Sequence, residues 1–145
     1  MHLEKEFDVR QTPDAAYRIV ARDETLVTLF PETKTEIVAS QGEQRRLRSH
    51  YTALGQPGVA TFDFSFVPEG EVRFEKVCDG RVWRELTGRV SFRRRRKKDK
   101  KDVTRVRIEM DGRTKSLVPE FTIRSAMKDQ LEQMASALRE RLERA

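Results

Sequence analysis

Four side chains in this 145-residue sequence have types suited to chemistry: His2, His50, the single cysteine Cys78, and Arg84 inside an apolar stretch. None falls in a catalytic signature, because the chain has no GxSxG, P-loop, GxGxxG, HExxH or CxxC. A nucleophilic site needs Ser, Cys or Thr beside a base. The candidate bases are His2, at a terminus expected to fray, and His50, in the strand-like RSHYT, where it reads as a surface or satisfied residue. One cysteine allows no internal disulfide, and two histidines so far apart have no metal-binding spacing. No catalytic residue, metal or cofactor is therefore expected, and a reducing compartment fits best.

The strand-like segments carry further candidates. In ATFDFSF the alternation sets Ala60, Phe62, Phe64 and Phe66 on one side, so Asp63 faces water. In VWRELTGRVSF it sets Val82, Arg84, Leu86, Gly88, Val90 and Phe92 together, and Trp83 on the opposite, polar side. A guanidinium on the apolar side is costly, so Arg84 either stands at a cavity rim and holds an anionic ligand group, or a bulge shifts the register. Trp83 would then pack under the short helices or mark a partner surface. Gly88 marks a bend or a close approach of another element.

The formal charge is +6, from 30 Lys and Arg against 24 Asp and Glu. Eight basic and two acidic residues lie in RRRRKKDKKD, Arg93 to Asp102, so the rest of the chain balances to zero. A local excess on a neutral body argues against a broad phosphate-tracking face. The run has no interleaved aromatic and no helix, which makes sequence-specific nucleic-acid binding unexpected. Anionic membrane is the alternative contact for residues 93–102, through Arg94, Arg95, Arg96, Lys97 and Lys98. No apolar run approaches the roughly 18 residues of a membrane span. MHLEKEFDVR also lacks the apolar centre of a signal peptide, so a cytoplasmic location is expected.

The elements that must position these residues follow from periodicity. HLEKEFDVR alternates as a strand, with Lys5 the exception on its apolar side. TPDAAYRIVA reads as a short helix capped by Thr12, with Pro13 at its first position. Asp23 looks like the cap of a second, which Pro31 closes. Six strands joined by short turns then run from residue 33 to about 115, with GQPG and the basic run among the turns. Short turns imply antiparallel neighbours, hence a seven-strand meander with the first strand returning to an edge. At the C-terminal end, Ile123, Met127, Leu131, Met134, Leu138 and Leu142 form a helical stripe. Pro119 suits its first turn, and about 25 residues would span roughly 37 Å. The fold class is α+β, with one long helix gripped by a curved antiparallel sheet.

This element order, with TPDAAYRIVARDETLVTLFPE after strand one, CDGRVWRELTGRVSF, and the closing VPEFTIRSAMKDQLEQMASALRERL, resembles the START-like (SRPBCC) superfamily. The likeness is to its polyketide cyclase/dehydrase and lipid-transport branch, and it covers nearly the whole chain. It implies a single START-like ligand-binding domain over residues 1–145, with the helix-grip fold and an apolar cavity between sheet and long helix. A lipid, quinone or polyketide-like molecule would be the ligand. On this reading Phe62, Phe64, Phe66, Phe74, Arg84, Leu86, Met127, Leu131 and Met134 bound the cavity, with His50 and Tyr51 as polar groups. The leading expectation is a non-catalytic carrier. The alternatives are a cyclase/dehydrase-type enzyme, using at least two of Arg84, His50 and Tyr51, and an interaction protein that uses the basic tip 93–102.

Overall fold

A computed structural model describes every residue except Glu32, Leu54 and 96–101. In chain order its elements are β1 (His2–Val9), α1 (Pro13–Val20), α2 (Asp23–Leu26), β2 (Lys34–Gln41), β3 (Gln44–Ala53), β4 (Gln56–Val67), β5 (Glu71–Lys76), β6 (Trp83–Arg94), β7 (Thr104–Thr114) and α3 (Arg124–Arg144). A 3-10 turn, Glu120–Thr122, precedes α3. The strands form one antiparallel sheet in the order β1-β7-β6-β5-β4-β3-β2, so β1 returns to the edge beside β7. This is the helix-grip arrangement expected from the sequence.

The side chains explain the grip. One face of the sheet presents Leu3 and Val9 from β1, Phe62, Phe64 and Phe66 from β4, Val72 and Phe74 from β5, and Val106, Ile108 and Met110 from β7, all buried. Against it α3 lays Met127, Leu131, Met134, Ala135, Leu138 and Leu142. Removing two such faces from water is the main stabilising term for a helix on a sheet. Lys5, the polar exception on that face of β1, reaches out to Glu132 of α3 with Nζ 2.9 Å from Oε1. In α1, Thr12 Oγ1 accepts from the Ala15 N–H at 3.2 Å and Pro13 occupies the first turn.

Three boundaries differ from the sequence reading, each for a local reason. Asp23 is the first residue of α2, which spans only Asp23–Leu26, and its carboxylate accepts from Arg45 Nε at 3.0 Å instead of capping. β4 begins at Gln56, so the proline and second glycine of GQPG are strand residues paired with Thr52 and Tyr51. Pro57 lies beyond the reach of β5, where β4 has a free edge that tolerates a missing N–H. Pro119 is extended (ψ 135°) and caps the 3-10 turn, so α3 proper starts at Arg124 and runs 21 residues.

The outer face of the sheet is ionic. Glu109 is buried between Arg89 and Arg107, Asp8 accepts from Arg95 and Arg105, and Asp63 takes Arg46 through Nε (2.7 Å) and Nη2 (3.0 Å). The Arg46 hydrogen bonds hold the Asp63 carboxyl below its ordinary value, against a smaller opposing effect of burial. A folded pKa below the unfolded one, near 3.9, gives stability that is present above that pH and lost as pH falls through the folded value. Asp63→Asn should therefore flatten the acid limb of thermal stability below about pH 4. The pair is solvent-exposed, so the effect is small. Melting curves across pH check it, and an unchanged acid limb would show that the pair contributes nothing.

Candidate functional site

β6 decides the shape of the interior. Trp83 pairs with Thr114 and Glu85 with Arg113, leaving Arg84 as an extra residue in a bulge. The bulge reverses the side-chain alternation N-terminal to it, so Trp83 turns inward, 6% exposed, and Arg84 turns out to solvent. The cost of burying an unpaired guanidinium is avoided, and the indole takes its place. The ring lies over Gly112, where a Cβ would come within 2.4 Å of Trp83 Cζ3. Further along β6, Phe74 of β5 covers Gly88, where a Cβ would meet its Cζ at 2.1 Å. Both glycines are thus required by close approach of an aromatic ring.

Between Trp83 and the N-terminal half of α3 lies a cavity of about 540 Å³. Its walls are Leu29 and Phe30 after α2, Tyr51 of β3, Ala60 and Phe62 of β4, Trp83 and Leu86 of β6, and Ala126 and Met127 of α3. Phe30 and Phe62 stack with ring centroids 5.2 Å apart. Exposed Tyr51, Thr52, Ala126 and Asp129 rim it on the solvent side.

Half of the lining residues are polar, and several of them are grouped. Ser49, 3% exposed, hydrogen-bonds through its hydroxyl to Thr35 at 2.8 Å. Thr35 in turn meets Thr33 at 3.2 Å, and Thr33 donates to the Phe30 carbonyl at 2.9 Å. Lys76, the last residue of β5, shares the inward face with Val72 and Phe74 and stands opposite Phe62. It lines the cavity half-buried, and among the described residues no carboxylate forms an ion pair with it. Gln130 and Gln133 of α3, with the rim groups Tyr51, Thr52 and Asp129, complete the set. An open-sided chamber whose lining is half apolar, with one ammonium and a short run of hydroxyls, suits an amphipathic small molecule.

Of the residues expected to bound the cavity, Phe62, Leu86 and Met127 do. Phe64, Phe66, Phe74, Leu131 and Met134 are instead packed core, with Phe64 and Phe74 stacked at 5.2 Å. Arg84 does not line it, and His50 lies on the outer face beside Glu36, Nε2 to Oε1 3.2 Å. Only Tyr51 of the three polar candidates reaches it. His2 does not fray: Asp111 (2.6 Å) and Glu4 (3.1 Å) hydrogen-bond its ring on the outer face and raise its pKa, so it is no base for the cavity. Glu4 and Glu109 approach His2 closely enough to share an ion, yet Arg107 and Arg89 already occupy those carboxylates. Burial pushes the Cys78 thiol up, away from a reactive thiolate. Of the basic run, Arg94 ends β6 and Arg95 pairs with Asp8; Arg96, Lys97 and Lys98 lie outside the described residues.

The fold is that of the START-like (SRPBCC) proteins, and solved structures share it over nearly their whole length. A START superfamily protein from Mycobacterium smegmatis superposes with a TM-score of 0.74 at 22% identity, covering 99% of this chain and 97% of that one. The Zhui aromatase/cyclase from Streptomyces sp. R1128 gives 0.72 at 16%, over 98% and 90%. Norcoclaurine synthase from Thalictrum flavum gives 0.74 at 15%, over 97% and 84%. At these identities the likeness is one of fold. No family model and no curated protein matches the sequence. Among the described residues no helix is long and apolar enough to cross a membrane.

Proposed function

We propose that the chain, as one START-like domain, binds and carries an amphipathic hydrophobic molecule of the lipid, quinone or polyketide-like kind. The carrying observation is the 540 Å³ chamber, which sets an apolar surface of Phe30, Phe62, Trp83 and Met127 beside one ammonium, Lys76. The apolar body of the ligand would lie against Phe30, Phe62, Trp83 and Met127. Its anionic or carbonyl end would meet Lys76 and the Ser49 hydroxyl. The cyclase-type alternative called for two of Arg84, His50 and Tyr51 in one cavity, and only Tyr51 is there, which favours carriage over catalysis.

Trp83 supplies the test, since it is the only tryptophan and lines the chamber. Its emission should change saturably on titration with a long-chain carboxylic acid, and less readily with the methyl ester of the same chain. Lys76→Gln should remove the preference for the acid, about ten-fold, while leaving the ester unaffected. Emission that does not respond to any amphipathic ligand would reject the reading.

A further inference from the structure

The most exposed large apolar side chains among the described residues are Leu117 and Phe121, 93% and 80% accessible, on the connection from β7 to α3. Both lie largely in water, where a phenylalanine forgoes most of the gain of burial. The connection is tied to β6 at its start and folds into a local turn before α3. The Lys115 N–H donates to the Val82 carbonyl at 2.9 Å, and Thr122 Oγ1 donates to the Pro119 carbonyl at 2.6 Å. Val82 precedes Trp83, and Ala126 and Met127 follow Phe121 within two turns, so both ends of the connection adjoin residues that line the chamber.

Basic residues predominate around them, although Arg113 lies 3.8 Å from Glu85 and Asp129 follows Lys128. From Arg113 to Lys128 the chain has four basic residues, Arg113, Lys115, Arg124 and Lys128, all exposed, and one acidic residue, Glu120. Glu120 lies 3.3 Å from the N-terminal amino group. The basic ends of β6 and β7, by contrast, are remote. Trp83 and Arg94 stand at opposite ends of β6, about 36 Å apart along an extended strand. A membrane bound there would face away from the opening.

We infer that the β7–α3 connection docks the protein to an anionic lipid bilayer, inserting Leu117 and Phe121 among the acyl chains with the four basic residues at the headgroups. Two protruding side chains fall short of the roughly 800 Å² per partner that a stable protein interface buries, but suffice for shallow insertion assisted by charge. Docking in this pose brings the chamber opening to the bilayer. It stands independently of which ligand the chamber takes.

Vesicle co-sedimentation of the full chain tests it. Wild type should bind vesicles containing phosphatidylserine and bind phosphatidylcholine vesicles much more weakly. The double variant Leu117→Ser/Phe121→Ser should lower partitioning at least about ten-fold, and Lys115→Gln/Lys128→Gln should remove most of the preference for anionic lipid, about five-fold per charge. All four side chains are exposed, so melting temperatures should not move. Replacing Lys97, Lys98, Lys100 and Lys101 by Ser should leave binding intact. Three results would overturn the inference: no vesicle binding by wild type, loss of binding only in the quadruple lysine variant, or a self-associated wild type that the Leu117/Phe121 variant makes monomeric.

Discussion

Trp83→Ala should destabilise the fold by about 3–5 kcal/mol, the cost of emptying a buried indole site. For a chain of this length that is a fall of roughly 10–16 °C in melting temperature. The size of the effect follows from what the ring touches. It is 6% exposed and covers Gly112 so closely that the glycine has room for no side chain. It also closes the chamber, so alanine would enlarge an existing cavity and leave neighbours such as Leu86 without partners. A loss under about 1 kcal/mol would mean that the bulge at Arg84 relaxes and another side chain turns in to fill the space.

Ala60→Trp should do the opposite: leave stability nearly intact and lower ligand affinity about 100-fold or more by filling the chamber. Ala60 pairs with Ser49 across the sheet and precedes Phe62 on the inward face, so a large side chain there projects into open volume, not into packed core. Tryptophan suits a strand position. Calorimetric titration with the carboxylic acid that perturbs Trp83, beside a melting curve of the unliganded variant, separates blocked binding from a damaged fold.

The same residues show how far the sequence could be read. Alternation and a helical stripe were sufficient for strand order, the gripping helix and the outward turn of Asp63, because one-sided burial imposes those periods. Arg84 stands out in the alternation, yet the choice between rim and bulge depends on Trp83 finding Gly112 in β7, a contact between distant segments. Asp23 had the type and position of a cap, and its pairing with Arg45 of β3 is likewise non-local. For the chamber, residue type tells that a side chain is buried but not whether the space beside it is filled. Phe64, Phe66, Phe74, Leu131 and Met134 fill the floor, whereas Phe30 and Trp83 face open volume. Lys76 did leave a signal, a basic residue continuing the inward series Val72, Phe74 at a strand end. Leu117 and Phe121 left none, since an apolar residue in a connection reads as buried until its neighbours are placed.

Native mass spectrometry of the gently purified protein tests the central claim most directly. Wild type should carry a non-covalently bound hydrophobic molecule, released on acidification, and Ala60→Trp prepared in the same way should be bare. Wild type that is bare, with no rise in melting temperature on adding lipids, quinones or polyketide-like compounds, would contradict the carrier reading. Equal occupancy of both proteins would place the ligand outside the chamber.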